Sequence, residues 1–562
     1  MTSRSRSTVD GLTVAAYAGD GAVLLAFDVD ETSQADLAGF AVDLTAPDGT
    51  KLPVLNRLSF EHPITAGTTP GERRFLPTSE APLQKFHWVH FPPDVQPGTF
   101  TYTTTAMLFR PGTDDRVEPG PSAQVEVELM PKEREHFRLG FTRGYISSQA
   151  YADHFDNAPI RPEPPTIDYE TAPFEPQYRW LGFHARRLIF DFLEEAVGDP
   201  ELCLDVFAYD LDEPDFIRQL VRLGGRLRMF LDDSSTHVKR GARELDAQAA
   251  LGETAGVDRI RVGHFSRFAH NKVLILKRGD RPIKVLSGSA NFSIRGLYVQ
   301  SNNVFVIEDE RTADLYQRAF DQAWNDARGF ASSDVASQWF DCAGDGLPDF
   351  SVSFSPHSDP DVSLQRVADA VAGAKSSVLF AIMELGGGGV LLDAIRALPD
   401  RRDLYAFGTT QRLNGSLKVD APGGGESRFI PFSYLSDKVP DPFRKEWQGG
   451  AGQVIHHKFV VVDFNDASPV VFAGSSNLAS GGEHENGDNL LAIYDRKLAG
   501  KYAVEAIQLI DHYRFRAVMK QATTAQPLRL KTRSERWAAA YYDPSSRKSV
   551  ERELFVQPVP DA

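Results

Sequence analysis

Two sets of polar residues recur in this 562-residue chain at a constant offset of 186 positions. Each set contains a histidine, a lysine two residues later, then a serine and two asparagines further along. The first set is His270, Lys272, Ser289, Asn291 and Asn303, and the second is His456, Lys458, Ser475, Asn477 and Asn489. In both copies, the glycine before the serine lies 18 positions after the histidine. Because chance does not produce so long a match, we interpret the sets as two copies of one phosphate-handling half-site.

The residue types of each set are those that cleave a phosphodiester. Ammonium, hydroxyl and carboxamide groups donate hydrogen bonds to phosphate oxygens, and an imidazole acts as a nucleophile or an acid. If the two sets share a pocket, one histidine attacks phosphorus and the other protonates the leaving alkoxide. Lys272, Lys458, Asn291 and Asn477 then stabilise the phosphoryl oxygens. Water or an alcohol displaces the phosphohistidine, and the two ammonium groups make a metal or other cofactor unnecessary.

The apolar runs after both motifs predict how they are positioned. Residues 273–276 and 459–462 are typical of buried strands, in which side chains two residues apart share a face. Each histidine is therefore expected to project on the same side as its lysine. The glycines before Ser289 and Ser475 are expected to let the backbone approach an anion closely.

Elements of alternating type surround the two sets. A helix–strand–helix–strand order occupies residues 178–231, and the same order returns over residues 362–408. Each series then continues into the His-Lys strand, the Gly-Ser strand and a long helix, which in the second series is residues 498–522. The chain is thus predicted to contain two α/β repeats in one catalytic unit, with a boundary near residues 331–356.

The segment before these repeats has a different pattern. Residues 11–130 contain six short runs rich in β-branched and aromatic residues, separated by Gly, Pro and Asp, which predicts an all-β sandwich. Residues 94–102 resemble the tyrosine corner of immunoglobulin-like or fibronectin III-like folds. We therefore expect a β-sandwich at residues 1–135, a first α/β repeat at 136–335, and a second repeat with a C-terminal extension at 336–562.

The doubled motif resembles the HxKxxxxD signature of the phospholipase D superfamily. His456-x-Lys458-x4-Asp463 is a complete copy, and Phe354-Ser-Pro356 resembles the start of a second repeat in that family. The superfamily includes phospholipases D, phosphatidyltransferases, metal-independent nucleases and tyrosyl-DNA phosphodiesterases. The resemblance covers roughly residues 140–545 and implies two fused α/β repeats with a phosphohistidine intermediate. It specifies the superfamily far better than the substrate.

Two positions depart from the family pattern or differ between the copies. Lys277 occupies the position of the motif's aspartate, which Asp463 fills in the second copy. An odd step from the histidine turns this position away from the chemistry, so we interpret Asp463 as a scaffold residue. Asn302 is aligned with Asp488, and in the family a residue near this position supports the imidazole of the opposite repeat. Asp488 would then orient the nucleophile His270, and Asn302 would support His456 as general acid.

The resemblance and the pattern together give a set of candidate site residues. The predicted catalytic residues are His270, Lys272, Asn291, His456, Lys458, Asn477 and Asp488. The predicted substrate-binding residues are Ser289, Ser475, Asn303, Asn489 and Asn302.

Several other residues have simpler interpretations. His457 has no counterpart in the first copy and is interpreted as structural, and His264 as a loop residue. Zinc is not expected, because the histidines lack partners at zinc-site spacing. The glycine-rich run at residues 385–390 is favoured as a flexible turn over a phosphate cradle. Phe443, Arg444, Lys445 and Trp447 are expected to overhang the site, where they grip a lipid or a base, or simply pack.

The overall charge narrows the substrate classes. A formal net charge of −16 and a pI of about 5.4 disfavour a surface that coats nucleic acid. We favour a phospholipid substrate with peripheral membrane contact, while a metal-independent nuclease and an inactive anion-binding scaffold remain alternatives. The partner of the sandwich is not indicated. Two cysteines, no signal-peptide pattern and no apolar run of membrane-spanning length predict a cytoplasmic protein.

Overall fold

The computed structural model describes residues 3–93, 95–130, 136–144, 148–386, 388–413, 429–431 and 455–558. Residues 3–130 form two antiparallel four-stranded sheets and a small third pair. Their strands are β1 (Arg4–Val9), β2 (Leu12–Ala18), β3 (Val23–Val29), β4 (Leu37–Thr45), β5 (Lys51–Pro53), β6 (Leu55–Asn56), β7 (Leu76–Pro77), β8 (His87–His90), β9 (Gly98–Phe109) and β10 (Val117–Leu129).

The two larger sheets, β1-β2-β3-β8 and β10-β9-β4-β5, enclose an apolar core. Alternate side chains of β9, beginning with Phe100 and Tyr102, are buried in that core, as a half-buried strand requires. The predicted two-sheet region is confirmed, although β1 was not expected. The hydroxyl of Tyr102 is 3.0 Å from Nδ1 of His90, a side-chain partner rather than the backbone partner of a tyrosine corner. Because Asp94 lies outside the described residues, the immunoglobulin likeness stays a prediction.

The first α/β repeat follows at residue 137. Its elements are β11 (Phe137–Phe141), α1 (Ser148–Phe155), α2 (Glu175–Gly198), β12 (Leu202–Ala208), α3 (Pro214–Leu223), β13 (Leu227–Asp232), α4 (Arg243–Ala255), β14 (Ile260–Gly263), β15 (Val273–Arg278), β16 (Arg281–Gly288), α5 (Ile294–Tyr298), β17 (Asn303–Ile307) and α6 (Glu310–Asp326). The sheet order is β11-β17-β16-β15-β12-β13-β14, with β12, β13 and β14 parallel and the other pairs antiparallel. Helices α3 and α4 are the crossovers that parallel neighbours require.

The second repeat has a similar order of strands. They are β18 (Phe340–Cys342), β19 (Asp349–Ser355), α7 (Asp361–Ala372), β20 (Ser377–Leu385), α8 (Val390–Ala397), β21 (Tyr405–Leu413), β22 (Phe429–Pro431), β23 (Lys458–Val462), β24 (Val470–Gly474), α9 (Ser480–Glu485), β25 (Asp488–Tyr494) and α10 (Arg496–Gln521). The order β18-β19-β25-β24-β23-β20-β21-β22 reproduces that of the first sheet after one added edge strand. The long helices α6 and α10 both begin with an aspartate cap, Asp309 and Asp495.

The two repeats share one apolar core. Strand β16 contacts β24 across the boundary, and Ser301 pairs with Ile455 just before the second motif. Buried residues of both repeats belong to the same cluster, together with Tyr17 and Leu24 of the sandwich. The motif-bearing ends of the two sheets therefore lie against each other. None of the helices in the described residues is both long and apolar enough to cross a membrane.

The chain beyond α10 returns to the sandwich and ends in α11 (Arg547–Val556). Trp537 Nε1 donates to the carbonyl of Leu37 at 2.8 Å, and the Tyr542 hydroxyl donates to the carbonyl of Val29 at 2.8 Å. Arg552 of α11 forms an ion pair with Asp28 at 2.5 Å. The predicted C-terminal extension thus covers the sandwich.

Candidate active site

The two His-Lys motifs lie in the turns that lead into β15 and β23. The sequence pattern placed them within the strands, but β15 begins at Val273, and only Lys458 belongs to β23. Each lysine folds back on its own motif: Nζ of Lys272 donates to the carbonyl of His270, and Nζ of Lys458 donates to that of His456 at 2.9 Å. All four side chains are buried. Histidine and lysine therefore share one side, as expected, through a turn rather than a strand.

Each imidazole is held by a side chain of the other repeat. Nδ1 of His270 is 2.8 Å from Oδ1 of Asp488, and Nδ1 of His456 is 2.8 Å from Oδ1 of Asn302. The amide orientation of Asn302 is fixed, because its Nδ2 donates to the Gly296 carbonyl at 2.8 Å. Both acceptors require the proton on Nδ1, which leaves Nε2 of His270 for chemistry, whereas Nε2 of His456 lies 3.2 Å from Nζ of Lys458.

Burial lowers the proton affinity of all four basic groups of the motifs, and neighbouring basic groups add to this for His270, His456 and Lys458. Burial and then Lys272 and Lys458 hold the pKa of His270 well below its usual value. Burial, the two lysines and His270 do the same for His456. Burial lowers the pKa of Lys272 to about 8 and that of Lys458 well below its usual range. The basic groups of the two halves thus lie together in one buried pocket, where a bound anion would offset their positive charge.

Asp488 is the buried acid of this pocket. Desolvation raises its pKa to about 7, against the opposing effect of Lys272 and Lys458. Its counterpart Asn302 has no charge. The two histidines therefore have electrostatically different partners although their geometry is the same.

The Gly-Ser-x-Asn turns are tied to the strands that follow them. The hydroxyl of Ser289 donates to Asn302 Oδ1 at 2.8 Å and accepts from the Asn303 backbone at 3.0 Å. Ser475 accepts from the backbone of Asn489 at 3.0 Å. A side chain at Gly288 would lie 2.3 Å from the Asn303 carbonyl oxygen, and one at Gly474 would meet Asn489 in the same way at 2.2 Å. The glycines therefore let the neighbouring strand approach closely. The sequence had predicted that they would let an anion approach instead.

The carboxamides of Asn303 and Asn489 bond within the protein. Asn303 Nδ2 donates to the Tyr502 hydroxyl at 3.1 Å, and Asn489 Nδ2 donates to Oδ1 of Asn271 at 2.8 Å. Asn489 Oδ1 accepts from Ser287 at 3.1 Å. With Ser289, Ser475 and Asn302, these residues form the framework behind the pocket. This placement differs from the predicted substrate-binding role, because their polar atoms already have protein partners.

Asn291 and Asn477 differ from that framework. Asn291 Nδ2 donates to Oδ2 of Asp210 at 2.5 Å. The Oδ1 atoms of both asparagines are buried and have no hydrogen-bond partner in the described structure. Each carboxamide therefore keeps an unpaired acceptor, while its Nδ2 group is the part that can donate to a phosphate oxygen.

The aligned positions Asp463 and Lys277 both serve the scaffold. Asp463 accepts from the backbone N–H groups of Lys375, Ser376 and Ser377 at 2.8–3.1 Å. Lys277 forms an ion pair with the buried Asp205 at 2.7 Å. Within the described residues, both side chains bond to scaffold groups, in keeping with the expected orientation away from the chemistry.

The remaining histidines and the predicted loops lie in simpler environments. His457 is buried, with Nε2 2.8 Å from Glu505, and His264 Nδ1 lies 2.5 Å from Asp233. Gly389 precedes α8, and Gly387 is outside the described residues. Phe443, Arg444, Lys445 and Trp447 are outside them too, so their overhang stays a prediction.

Comparison with protein families identifies part of the first repeat. Residues 201–324 match the family model for the cardiolipin synthase phospholipase D-like domain. These residues therefore form a phospholipase D-like domain. The superfamily predicted from the doubled motif is confirmed, as is the α/β fold class preceded by a β-rich region. Members of this superfamily are phosphodiesterases and phosphotransferases.

Solved structures with similarity to this phospholipase D-like chain have low identities. The phospholipase D family member Nuc from Salmonella typhimurium is 19% identical, covers 24% of this chain and 86% of its own, and gives a TM-score of 0.20. Phosphatidylserine synthase from Haemophilus influenzae Rd KW20 is 13% identical, with coverages of 59% and 85% and a TM-score of 0.39. Yeast tyrosyl-DNA phosphodiesterase is 10% identical, with coverages of 54% and 85% and a TM-score of 0.31. No curated protein sequence matches the chain.

One group near the phospholipase D-like site was missed from the sequence. Asp210 lies beside Asn291, and His237 lies between Asp210 and Asp232, with Nε2 2.8 Å from the first carboxylate and Nδ1 2.9 Å from the second. The ring of Tyr209 contacts both His237 and His270, at centroid distances of 4.7 and 4.9 Å. Tyr209 and Asp210 directly follow β12 and Asp232 ends β13. The sequence signal that could have revealed this group is a carboxylate at the end of each of two adjacent parallel strands.

This group contains atoms that could bind a cation. One atom each of Asp210, His237 and Glu244 lie within 4.8 Å of one another. The two carboxylates raise the pKa of His237 to about 10 despite its burial. Because a protonated ring has no lone pair for a metal, the hydrogen-bonded arrangement is that of an imidazolium between two carboxylates.

Proposed function

We propose that the protein is a metal-independent phosphodiesterase that works through a phosphohistidine, with His270 as nucleophile and His456 as general acid. The observation that carries this assignment is the unequal support of the two rings. A carboxylate at Nδ1 stabilises the positive charge that His270 acquires when its Nε2 bonds to phosphorus. A neutral amide at Nδ1 does not stabilise the charged ring in this way, so His456 is the stronger acid of the two.

The proposed reaction has two steps. Nε2 of His270 attacks phosphorus while the bond to the leaving oxygen breaks and that oxygen takes the proton from Nε2 of His456. Water or an alcohol then attacks the phosphohistidine, its proton passes to His456, and the phosphorus–nitrogen bond breaks. Lys272, Lys458 and the N–H groups of the Asn291 and Asn477 carboxamides stabilise the equatorial oxygens in both steps.

Substrate binding supplies the protonation state that this mechanism needs. Burial, and after it the two ammonium groups, depress the pKa of both imidazoles. A phosphodiester monoanion placed between Lys272 and Lys458 offsets the lysine charges and so raises the pKa of His456. The bound substrate therefore favours the charged form of the acid.

Among phosphodiesters, we favour a phospholipid, presented at a membrane surface that the enzyme contacts peripherally. The chain has a net charge of −16, and the Asp210 carboxylate, which is bonded to Asn291, is partly exposed. Negative charge beside the site disfavours a polyanionic strand more than a single headgroup. Free thiols at Cys203 and Cys342 support a reducing compartment such as the cytoplasm.

The test is a substrate screen in EDTA with the wild type, His270→Ala, His456→Ala and the control His264→Ala. Phospholipid vesicles, single-stranded DNA and RNA are offered separately. We expect release of phosphatidic acid by the wild type and the control only. Cleavage of nucleic acid alone would replace lipid by a nuclease function. Equal activity in both motif variants and the wild type would refute the mechanism.

A further inference from the structure

We infer that Asp210, held by His237 and Asp232, is a positioning residue that orients the Asn291 carboxamide and supplies a carboxylate facing the Lys272 ammonium. The inference rests on the proposed function, since it concerns how one half of that site is prepared for phosphate. None of these three residues belongs to the doubled motif.

The hydrogen bonds of Asp210 connect the two groups. Its Oδ2 accepts from Asn291 Nδ2 at 2.5 Å, and its Oδ1 accepts from His237 Nε2 at 2.8 Å. The Asp210 side chain is 31% exposed, whereas that of His237 is 5% exposed. The Asp210 carboxylate thus lies on the solvent side of the site, and the buried His237 supports it.

That support is anchored to the first motif itself. Asp232 is fully enclosed and accepts from His237 Nδ1 at 2.9 Å and from the backbone N–H of Ala269 at 2.7 Å. Ala269 directly precedes His270. Because both ring nitrogens of His237 face carboxylates, both donate only when the ring is an imidazolium. One charged unit therefore ties Asn291 and the nucleophile's backbone together.

The consequence for Asn291 is a fixed amide orientation. An amide turned over would place Oδ1 against the Asp210 carboxylate, and two acceptors repel each other. Asp210 therefore holds Nδ2 in place and uses one of its two hydrogens. The other hydrogen remains available for a phosphoryl oxygen. Within the described residues, no carboxylate is bonded to Asn477 in this way.

The consequence for Lys272 is electrostatic. Burial lowers its pKa to about 8, while the carboxylates of Asp488, Asp210 and Asp232 act in the opposite direction. Its ammonium also lies 4.8 Å from the centre of the Tyr209 ring. The basic groups whose pKa values Lys272 lowers are Lys458, His270 and His456. Since Lys272 must be charged to bind phosphate, activity falls as the pH rises through its pKa.

The positive charge of the His237 imidazolium offsets the negative charges of Asp210 and Asp232. Without its positive charge, Asp210 and Asp232 would present two uncompensated carboxylates to an anionic substrate. Removal of the Asp210 charge and removal of the His237 charge should therefore shift the pKa of Lys272 in opposite directions. A purely structural role would produce no such opposition.

The experiment compares pH profiles of kcat/KM for Asp210→Asn, Asp210→Ala, His237→Gln and the control Asp233→Asn. Asp233 is a matched control because its side chain is 30% exposed and bonds to His264 instead of Asn291. The substrate is the phosphodiester that the wild type cleaves best in the screen above. Thermal unfolding of each variant is recorded in parallel, and Asp210→Asn serves if Asp210→Ala does not fold.

We expect Asp210→Ala to lower kcat/KM about 10- to 100-fold, the effect of losing a hydrogen bond to a charged group. Asp210→Asn keeps an acceptor for Asn291, so its loss near pH 7 is smaller, but its alkaline limb moves to lower pH. His237→Gln moves that limb to higher pH and raises KM. Alkaline limbs of Asp210→Asn and Asp233→Asn that coincide with the wild type would overturn the inference. A wild type without activity dependent on His270 would instead overturn the proposed function.

Discussion

The first and second repeats share their strand order, motif spacing and helix caps, yet they surround their histidines with different charges. The ring of the first repeat faces Asp488, and the ring of the second faces Asn302, both at 2.8 Å. The carboxylate–imidazolium group at Asp210 also belongs to the first repeat. Duplication thus accounts for the similar geometry of the two halves, and single substitutions within the copies underlie the different histidine roles that we propose.

The largest expected effect separates the two histidines by leaving group. His270→Ala should lower kcat roughly 10⁴-fold or more on every phosphodiester, because no nucleophile remains. His456→Ala should be as severe on a phospholipid, but a p-nitrophenyl diester needs no protonation of its leaving group and should regain much of the rate. Steady-state rates on both substrates provide the measurement. If His270→Ala rather than His456→Ala regained activity on the p-nitrophenyl diester, the roles of nucleophile and acid would be reversed.

The next effect tests the supporting residues. Asp488→Asn makes the two halves electrostatically alike and should lower kcat about 10²-fold, since a carboxylate no longer stabilises the charged ring. Asn302→Asp should cost about tenfold, because an added carboxylate raises the pKa of His456 and weakens it as an acid.

The pH profile of kcat measures both supporting-residue effects. The limb assigned to His456 should move to higher pH in Asn302→Asp. Rates within twofold of the wild type for Asp488→Asn would remove the basis for distinguishing the rings.

A smaller effect concerns stability at the aligned scaffold positions. Asp463→Ala leaves three backbone N–H groups without their acceptor and should lower the free energy of unfolding by about 2–3 kcal/mol. Lys277→Ala should cost about 1–2 kcal/mol, because Asp205 keeps its bonds to Arg228 and Gln317.

Urea unfolding gives these values, and kcat per folded molecule should match the wild type in both variants. A large loss of kcat in a stable Lys277→Ala protein would show that this position serves the chemistry after all.

The smallest expected effect is that of metal removal. Dialysis against EDTA should leave kcat unchanged, because two ammonium groups supply the positive charge and His237 is an imidazolium. Activity that disappears in EDTA and returns with Mg²⁺ or Zn²⁺ would contradict the metal-free mechanism and reopen the Asp210 group as a cation site.

The repeats and the motif residues were predictable because local patterns determine them. Spacing identified His270 and His456, and alignment of the copies identified the pair Asn302 and Asp488. The motifs were placed in strands because apolar runs follow them, whereas the structure puts them in the preceding turns, where the lysines bond to the histidine carbonyls.

Asp210 and His237 escaped prediction for a different physical reason. Their partners come from separate strands and loops, so no sequence period connects them. The predicted substrate contacts of Asn303 and Asn489 relied on residue type alone. Their actual partners, such as Tyr502 and Asn271, depend on how the two repeats pack.

The most direct test of the account is to trap the covalent intermediate. The wild type is mixed with substrate, denatured rapidly in alkali to preserve a phosphohistidine, digested, and mapped by mass spectrometry. The account predicts a phosphorylated or phosphatidylated peptide with the group on His270. A modification on His456, or none during turnover, would contradict it.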